Sequence, residues 1–164
     1  MKKVLLVLVA VLVFNSVNAQ WYSKLRKSDF SSDYKIAYAL GSGNDYPYID
    51  VSLFIRNRDS ELEVFVSGFG YFSSYSSKDH DLKLSIDGGE VYTAKNLSVS
   101  TDNEALFLGD FISDSGEVVS IEFILNLMKE GSRMSIRTYN GSDYNTAKFT
   151  LSGSSKSIDF VLKN

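Results

Sequence analysis

The chain of 164 residues contains no cysteine, one histidine and one proline, and these shortages exclude several kinds of chemistry. Without cysteine no disulfide can form, and a zinc or copper site would depend almost entirely on carboxylates, an unusual donor set for these metals. A Ser-His-Asp triad would have to use His80, and no G-x-S-x-G pattern presents a serine nucleophile. We therefore predict no enzyme activity, no metal site and no cofactor.

Phosphate-binding and carboxylate motifs are equally weak. The G-x-G of "GSGNDY" at 41–46 lacks the third glycine and the following helix of a dinucleotide site. Paired carboxylates can hydrolyse glycosides or hold calcium. Three acidic pairs lie close in sequence: Asp79 with Asp81, Asp87 with Glu90, and Asp102 with Glu104. We interpret them as solvated loop residues, with a calcium site and a hydrolase as the alternatives.

A secretory signal is predicted at the N-terminus. Lys2 and Lys3 precede an apolar run at 4–14, and the compact residues Val-Asn-Ala at 17–19 are typical of a cleavage site. The run is shorter than the roughly 20 apolar residues that cross a membrane. We predict a signal peptide at 1–19 and an exported product, periplasmic or secreted, without a stable membrane anchor after cleavage. An uncleaved N-terminal anchor is the alternative.

Residues 20–164 are predicted to form a single β-rich domain, since no linker divides them. The formal net charge of the chain is −3, and loss of the two signal-peptide lysines would make it more negative. Nucleic acids and anionic membranes select basic surfaces. The composition therefore argues against both as partners.

Apolar side chains recur at every second position along most of this domain, as in half-buried strands. The residues that share a strand face are Tyr34, Ile36, Tyr38 and Leu40; Ile49, Val51, Leu53 and Ile55; Leu62, Val64 and Val66; Leu82, Leu84 and Ile86; Val91, Thr93, Leu97 and Val99; Met134, Ile136 and Thr138; and Ala147, Phe149 and Leu151. The turn signals "NRDS" at 57–60 and "DGG" at 87–89 indicate hairpins. We predict a mainly β protein, an antiparallel β-sandwich or flattened barrel.

One stretch has helical periodicity instead. Its apolar stripe, at spacings of 0, 3, 4 and 7, consists of Ile121, Ile124, Leu125 and Met128. Ser120 suits the N-cap, and Gly131 suits a left-handed C-cap. We predict one short packed α-helix near residues 120–130, because so short a helix needs an apolar surface to lie on. The C-terminal "SSKSIDFVLKN" is expected to add a single closing turn.

Aromatic residues concentrate between the alternating runs, where Ser, Gly, Asn and Asp surround them. They are Tyr46, Tyr48, Phe69, Tyr71, Phe72, Tyr75, Tyr139 and Tyr144. This mixture is typical of a contact surface, since tyrosine supplies rigid area and its neighbours supply adaptable hydrogen bonds. The predicted ligand-binding residues are the six tyrosines Tyr46, Tyr48, Tyr71, Tyr75, Tyr139 and Tyr144. Rim packing with the hydroxyl groups in water is the alternative.

The order of segments resembles the exported accessory proteins associated with type VI secretion, of the VasI-like kind. The similar passages, covering roughly residues 21–162, are "WYSKLRKSDFSSDY", "DVSLFIRNRDSELEVFVSGFGYF", "LKLSIDGGEVYTAKNLSVSTDNEALFL" and "FILNLMKEGSRMSIRTYNGSDYNTAKFTLSG". That family usually places a cysteine after the arginine of the second strand, whereas here Asn57 follows Arg56. The resemblance implies an exported, non-enzymatic, sandwich-like domain and carries over no catalytic residue.

These observations predict an exported, non-catalytic binding or accessory module. Its partner is expected to be an envelope or extracellular protein, and the resemblance implies association with a secretion system. A domain that binds carbohydrate or envelope polymer through its loop tyrosines is the alternative function.

Overall fold

A computed structural model of the chain describes residues 21–27, 32–43, 51–72, 81–139 and 144–163. The predicted signal peptide lies outside these ranges. Within them the strands are β1 (Trp21–Arg26), β2 (Tyr34–Gly43), β3 (Val51–Arg58), β4 (Glu61–Ser67), β5 (Asp81–Ile86), β6 (Val91–Ala94), β7 (Ser98–Val99), β8 (Ala105–Leu108), β9 (Phe111–Ser113), β10 (Val118–Val119), β11 (Arg133–Tyr139) and β12 (Tyr144–Thr150). The helices are α1 (Ile121–Glu130), before β11, and α2 (Ser154–Leu162), after β12.

The described strands form one curled antiparallel sheet, shaped as a half-barrel. Its order is β10-β9-β6-β5-β11-β12-β2-β3-β4-β8-β7, and β1 pairs additionally with β2. The prediction of a mainly β, antiparallel fold is confirmed. The predicted return strand or strands through Val91 and Val99 are two: β6 pairs with β5, whereas β7 pairs with β8 in the other half of the sheet.

Both predicted turns contain two successive residues with positive φ, and the one between β3 and β4 is a two-residue hairpin. Asp59 and Ser60, between β3 and β4, have φ of 53° and 67°, and Asp87 and Gly88, between β5 and β6, have φ of 52° and 72°. Two successive positive φ values match the right-handed twist of the flanking strands. The turn chemistry therefore sets the register of the β3–β4 hairpin, whereas the β5–β6 connection is four residues long and has its turn at Asp87 and Gly88.

Helix α1 lies where the periodicity predicted it. Its buried side chains are Ile124, Leu125 and Met128, and the Ser120 hydroxyl accepts a hydrogen bond from the Phe123 N–H at 3.3 Å. The prediction of a left-handed cap at Gly131 is wrong, because this residue is extended (φ −80°, ψ 171°). Close packing accounts for the glycine instead, since a Cβ there would lie 2.5 Å from Cγ2 of Ile86.

Helix α2 is longer than the single closing turn expected, so the protein has two described helices rather than one. Ile158 and Val161 are fully buried, whereas Leu162 is exposed. The two helices are joined by the buried hydroxyl of Ser154, which donates to the Met128 carbonyl at 2.7 Å. Serines on the buried side of α2 weaken its apolar stripe, which explains why the sequence pattern understated the helix.

The alanines of strand β2 face the core. The sequence pattern suggests the opposite face, which carries the larger residues Tyr34, Ile36, Tyr38 and Leu40. Ala37 and Ala39 are fully buried and face inward, while Tyr38 and Leu40 lie on the outer face. Helix α2 packs against β1, β2 and β3 on the inner side. Small side chains on β2 permit the close approach of this helix to the sheet.

Substitution of Leu125 tests the packing of α1. Leu125→Ala removes a fully buried side chain and leaves a cavity between helix and sheet, so we expect a loss of about 2–5 kcal/mol in the free energy of unfolding. Asn126→Ala is the matched control, since Asn126 is exposed on the same helix. Denaturant titration measures both, and a loss below about 0.5 kcal/mol for Leu125→Ala would contradict the packing.

The contact between the helices has a pH signature. Lys129 Nζ lies 2.7 Å from Oδ1 of Asp159, and this hydrogen bond lowers the pKa of the Asp159 carboxyl below 3.8. Stability from a depressed carboxyl pKa is complete above the unfolded value and is lost as pH falls through the folded value. Asp159→Asn should therefore lower Tm near neutral pH, and the difference from wild type should shrink below about pH 4. Thermal melts measure this, and a difference independent of pH would refute the pairing.

Candidate functional site

Five aromatic rings line up across the outer face of the sheet. They belong to β1, β2, β3, β4 and β8, and each is directly opposite the next in the strand register. We call this row the aromatic ladder: Tyr22, Tyr38, Phe54, Phe65 and Phe107. Successive ring centroids are 5.0, 5.8, 4.8 and 5.0 Å apart.

The ladder is uncovered by the described part of the chain. Tyr22 at one end is 38% exposed, and the other four rings are half-buried. Their sequence neighbours Leu53, Ile55, Val64 and Val66 point inward and are buried. Because side chains alternate along a strand, burying these apolar residues in the core directs the aromatic ones outward.

The rings stack on one another. The first three pairs have interplanar angles of 13–29°, and the fourth pair is tilted by 40°. A ring stacked on both sides turns its faces to its neighbours and its edge outward. The inner rings of the ladder therefore offer edges to a partner, and not the open faces on which sugars stack.

Basic side chains border the ladder. Lys24 Nζ lies 5.7 Å from the centroid of Tyr38, and the Arg56 guanidinium lies 5.4 Å from that of Phe65. Arg56 pairs with Glu63, whose hydrogen bond raises the pKa of the guanidinium. Lys24 and Arg26 have no ion-pair partner among the described residues. The border next to β1 is therefore positively charged.

Three of the six predicted tyrosines can be placed. Tyr71 is 63% exposed, and its hydroxyl accepts a hydrogen bond from Asn103 Nδ2 at 2.7 Å. The rings of Tyr139 and Tyr144 have centroids 5.0 Å apart, and Tyr144 is 57% exposed beneath the Arg137 guanidinium. The other three, Tyr46, Tyr48 and Tyr75, lie outside the described residues.

The segment that carries Tyr71 adjoins the hairpin that carries the other two tyrosines, because Asn145 Nδ2 donates to the Phe69 carbonyl at 3.3 Å. The interpretation of Phe69 and Phe72 as loop-surface aromatics is wrong. Both are buried in the core, beside glycines at 68 and 70 whose φ values are 84° and 89°. These left-handed residues turn the segment so that two of its rings point inward.

Three of the carboxylates considered for chemistry accept hydrogen bonds within the chain. Asp87 accepts the N–H groups of Ser132 (3.0 Å) and Arg133 (2.8 Å), and Glu90 accepts the hydroxyl of Tyr92. Asp102 accepts from Ser100, and this hydrogen bond lowers the pKa of its carboxyl. Within the described ranges no three His, Cys, Asp or Glu side chains are grouped to hold a metal ion. His80 and Asp79 lie outside those ranges.

A cleft of about 610 Å³ opens on the outer face, beside the ladder. It forms because β1 and β12 pair with the same edge of β2, one after the other along the strand. We call it the seam cleft; its lining includes Tyr22, Leu40, Ser42, Arg133, Lys148 and Thr150. The Trp21 indole N–H donates to the Thr150 carbonyl at 3.0 Å and holds the two strands together there.

Sequence reasoning missed both the ladder and the cleft. Arg58 and Glu61 pair across the two-residue turn between β3 and β4. Phe54 lies four residues before Arg58 and Phe65 lies four residues after Glu61, so this turn alone places the two rings opposite each other. That signal could have found the centre of the ladder. Tyr22 and Phe107 reach it only through long-range strand pairing.

Comparison with protein-family models, with curated proteins and with solved structures found no match to this chain. The resemblance to VasI-like accessory proteins therefore stays a prediction. Of the helices in the described ranges, none has the length and apolar character needed to cross a membrane. The functional argument depends on the surfaces described above.

The floor of the seam cleft depends on a glycine. A Cβ on Gly41 would lie 2.7 Å from the Phe149 ring, whereas one on Gly43 would meet its nearest atom at 3.7 Å. We expect Gly41→Ala to lower the stability by about 1–3 kcal/mol through overpacking, and Gly43→Ala to change it much less. Denaturant titration of the two variants checks this, and equal losses would show that Phe149 moves aside freely.

Proposed function

We propose that the protein is an exported, non-catalytic binding module that contacts a protein partner outside the cytoplasm through the aromatic ladder. The observation that supports this proposal is a row of five half-exposed rings on the outer face of the sheet. Aromatic side chains contribute a large share of the binding energy at protein interfaces.

The rival explanation is that the ladder serves only the sheet. Each aromatic pair contributes about 0.5–1.5 kcal/mol beyond the area it buries, so the ladder certainly stabilises the strand pairing. Polar or β-branched cross-strand pairs would also stabilise a sheet, without leaving apolar rings in contact with water. An apolar row on a solvent-facing surface is a solubility cost, and this favours a role in contact.

The border of the ladder indicates the partner's chemistry. Lys24 and Arg26 leave positive charge next to the apolar row, with no carboxylate paired to them among the described residues. A complementary protein surface has apolar side chains at its centre and Asp or Glu at the corresponding edge. Exposed Tyr71 and Tyr144 provide a second, smaller apolar area.

The cellular context of the proposal comes from the sequence. The signal-peptide pattern predicted at 1–19 supports a contact in the periplasm or outside the cell. The resemblance to secretion-associated accessory proteins suggests a component of a secretion system as the partner. The carbohydrate alternative is less compatible with the ladder, because its inner rings turn their faces to one another.

Site-specific crosslinking in the source cells tests the proposal. A photoreactive phenylalanine analogue is placed at Tyr22 or Phe107, the two ends of the ladder, and at Val118, which is exposed on β10 at the other end of the sheet. We expect a discrete protein product from both ladder positions and none from Val118. Lys24→Glu should reduce that product several-fold through charge repulsion. Lys156→Glu should leave it unchanged, because Lys156 is an exposed residue of α2, away from the ladder.

Two outcomes would contradict the proposal. If the ladder positions give no product, or the same products as Val118, the row serves the sheet alone. If the analogue crosslinks at Tyr71 and not at Tyr22 or Phe107, the loop tyrosines form the contact instead. Thermal melts of each variant must match wild type, so that a lost product is not a consequence of unfolding.

A further inference from the structure

Several basic side chains lie on the outer face in and near the seam cleft, although the protein is acidic overall. The outward side chains of β5, β11 and β12 include Lys83, Arg133, Arg137 and Lys148. Arg137 is directly opposite Lys83 in the strand register, an arrangement that costs stability in a sheet. Asp81 offsets part of this charge, at 3.6 Å from Lys83.

Two of these cations line the cleft without a direct ion pair in the described part of the chain. Arg133 and Lys148 have no ion-pair partner among the described residues, and they lie on adjacent strands. Asp87 also lines the cleft, but its carboxylate oxygens accept the backbone N–H groups of Ser132 and Arg133. These hydrogen bonds leave the carboxylate charged, so Arg133, Lys148 and Asp87 together give the lining one net positive charge. The two cationic side chains remain available to an anion.

Hydroxyl groups and apolar side chains complete the lining. Ser42 and Ser135 supply hydroxyls that can both donate and accept hydrogen bonds. The Ser85 and Thr150 hydroxyls already donate to backbone carbonyls, and that of Thr150 also accepts the Ser152 N–H, so these two can only accept further hydrogen bonds. Leu40 and the ring of Tyr22 supply an apolar wall. This combination suits a ligand that carries hydroxyl groups, apolar C–H surface and at least one anionic group.

We propose that the seam cleft binds an acidic saccharide, with its carboxylate or phosphate held by Arg133 and Lys148. The cleft volume of about 610 Å³ falls within the range of about 300–1,000 Å³ usual for small-ligand sites. An arginine fork pairs with either anion through two parallel hydrogen bonds, and the serine and threonine hydroxyls bind the sugar hydroxyls. The proposal does not depend on the ladder as a protein contact.

Isothermal titration of the purified chain tests this with four probes: a galacturonate trisaccharide, a neutral trisaccharide of the same size, a sugar phosphate, and inorganic phosphate. We expect at least one acidic sugar to bind about tenfold or more tightly than the neutral one, a difference of about 1.4 kcal/mol. Inorganic phosphate should bind more weakly than the sugar phosphate. Whichever of the two acidic sugars binds more tightly shows whether the cleft prefers a carboxylate or a phosphate.

Variants locate the binding. Lys148→Gln and Arg133→Gln should each lower the affinity for the acidic sugar about tenfold or more. Lys156→Gln should leave that affinity unchanged, because Lys156 is an exposed residue of α2 and does not line the cleft. Lys148→Gln is the decisive variant, because the Arg133 backbone is held by Asp87 and that site is more sensitive to change. Thermal melts confirm that each variant is folded.

Three results would overturn the proposal. The first is equal affinity for acidic and neutral sugars, and the second is unchanged affinity in both cleft variants. The third is tighter binding of a glutamate-rich peptide that competes for the same site, which would identify an acidic protein segment as the ligand. Loss of the ladder crosslink with sugar binding intact would overturn only the protein contact.

Discussion

The inner face of the curled sheet must be filled, and the rest of the structure depends on how two short helices fill it. Leu125 and Met128 of α1 and Ile158 and Val161 of α2 are buried against the strands. Neither helix is long enough to persist alone, so each is stabilised by the sheet it covers. With the inner face occupied by the chain's own helices, the outer face is the sheet surface that the described residues leave open.

Strand β2 connects the two halves of that outer face. One of its edges pairs with β3, and the other is shared by β1 and β12. Sharing an edge leaves a gap where the two strands meet, and this gap is the seam cleft. The same strand carries Tyr38 in the ladder, so the apolar row and the basic cleft are neighbours, with Tyr22 belonging to both.

The chemistry of the two surfaces differs although they adjoin. The ladder is apolar with a basic border, which suits a protein, whereas the cleft is polar and cationic with a small apolar wall, which suits an acidic saccharide. Both carry positive charge on a chain whose formal net charge is −3. Anionic groups of a ligand are therefore favoured next to the cations that have no ion pair within the described ranges, Lys24 and Arg26 at one surface and Arg133 and Lys148 at the other.

The sequence by itself determined the local features of this protein. Alternation, the turns at 57–60 and 87–89, and the α1 stripe follow from neighbours in the chain, and so does the pairing of Phe54 with Phe65 across a two-residue turn. Only the tertiary structure decided that alanines of β2 face inward, that Phe69 and Phe72 are core residues, and that Tyr22 and Phe107 extend the ladder. It also brought Arg133 and Lys148 to one cleft. The reason is physical. These features depend on which face a helix covers and on which strands pair at long range, whereas alternation along a strand does not determine which of its two faces is buried.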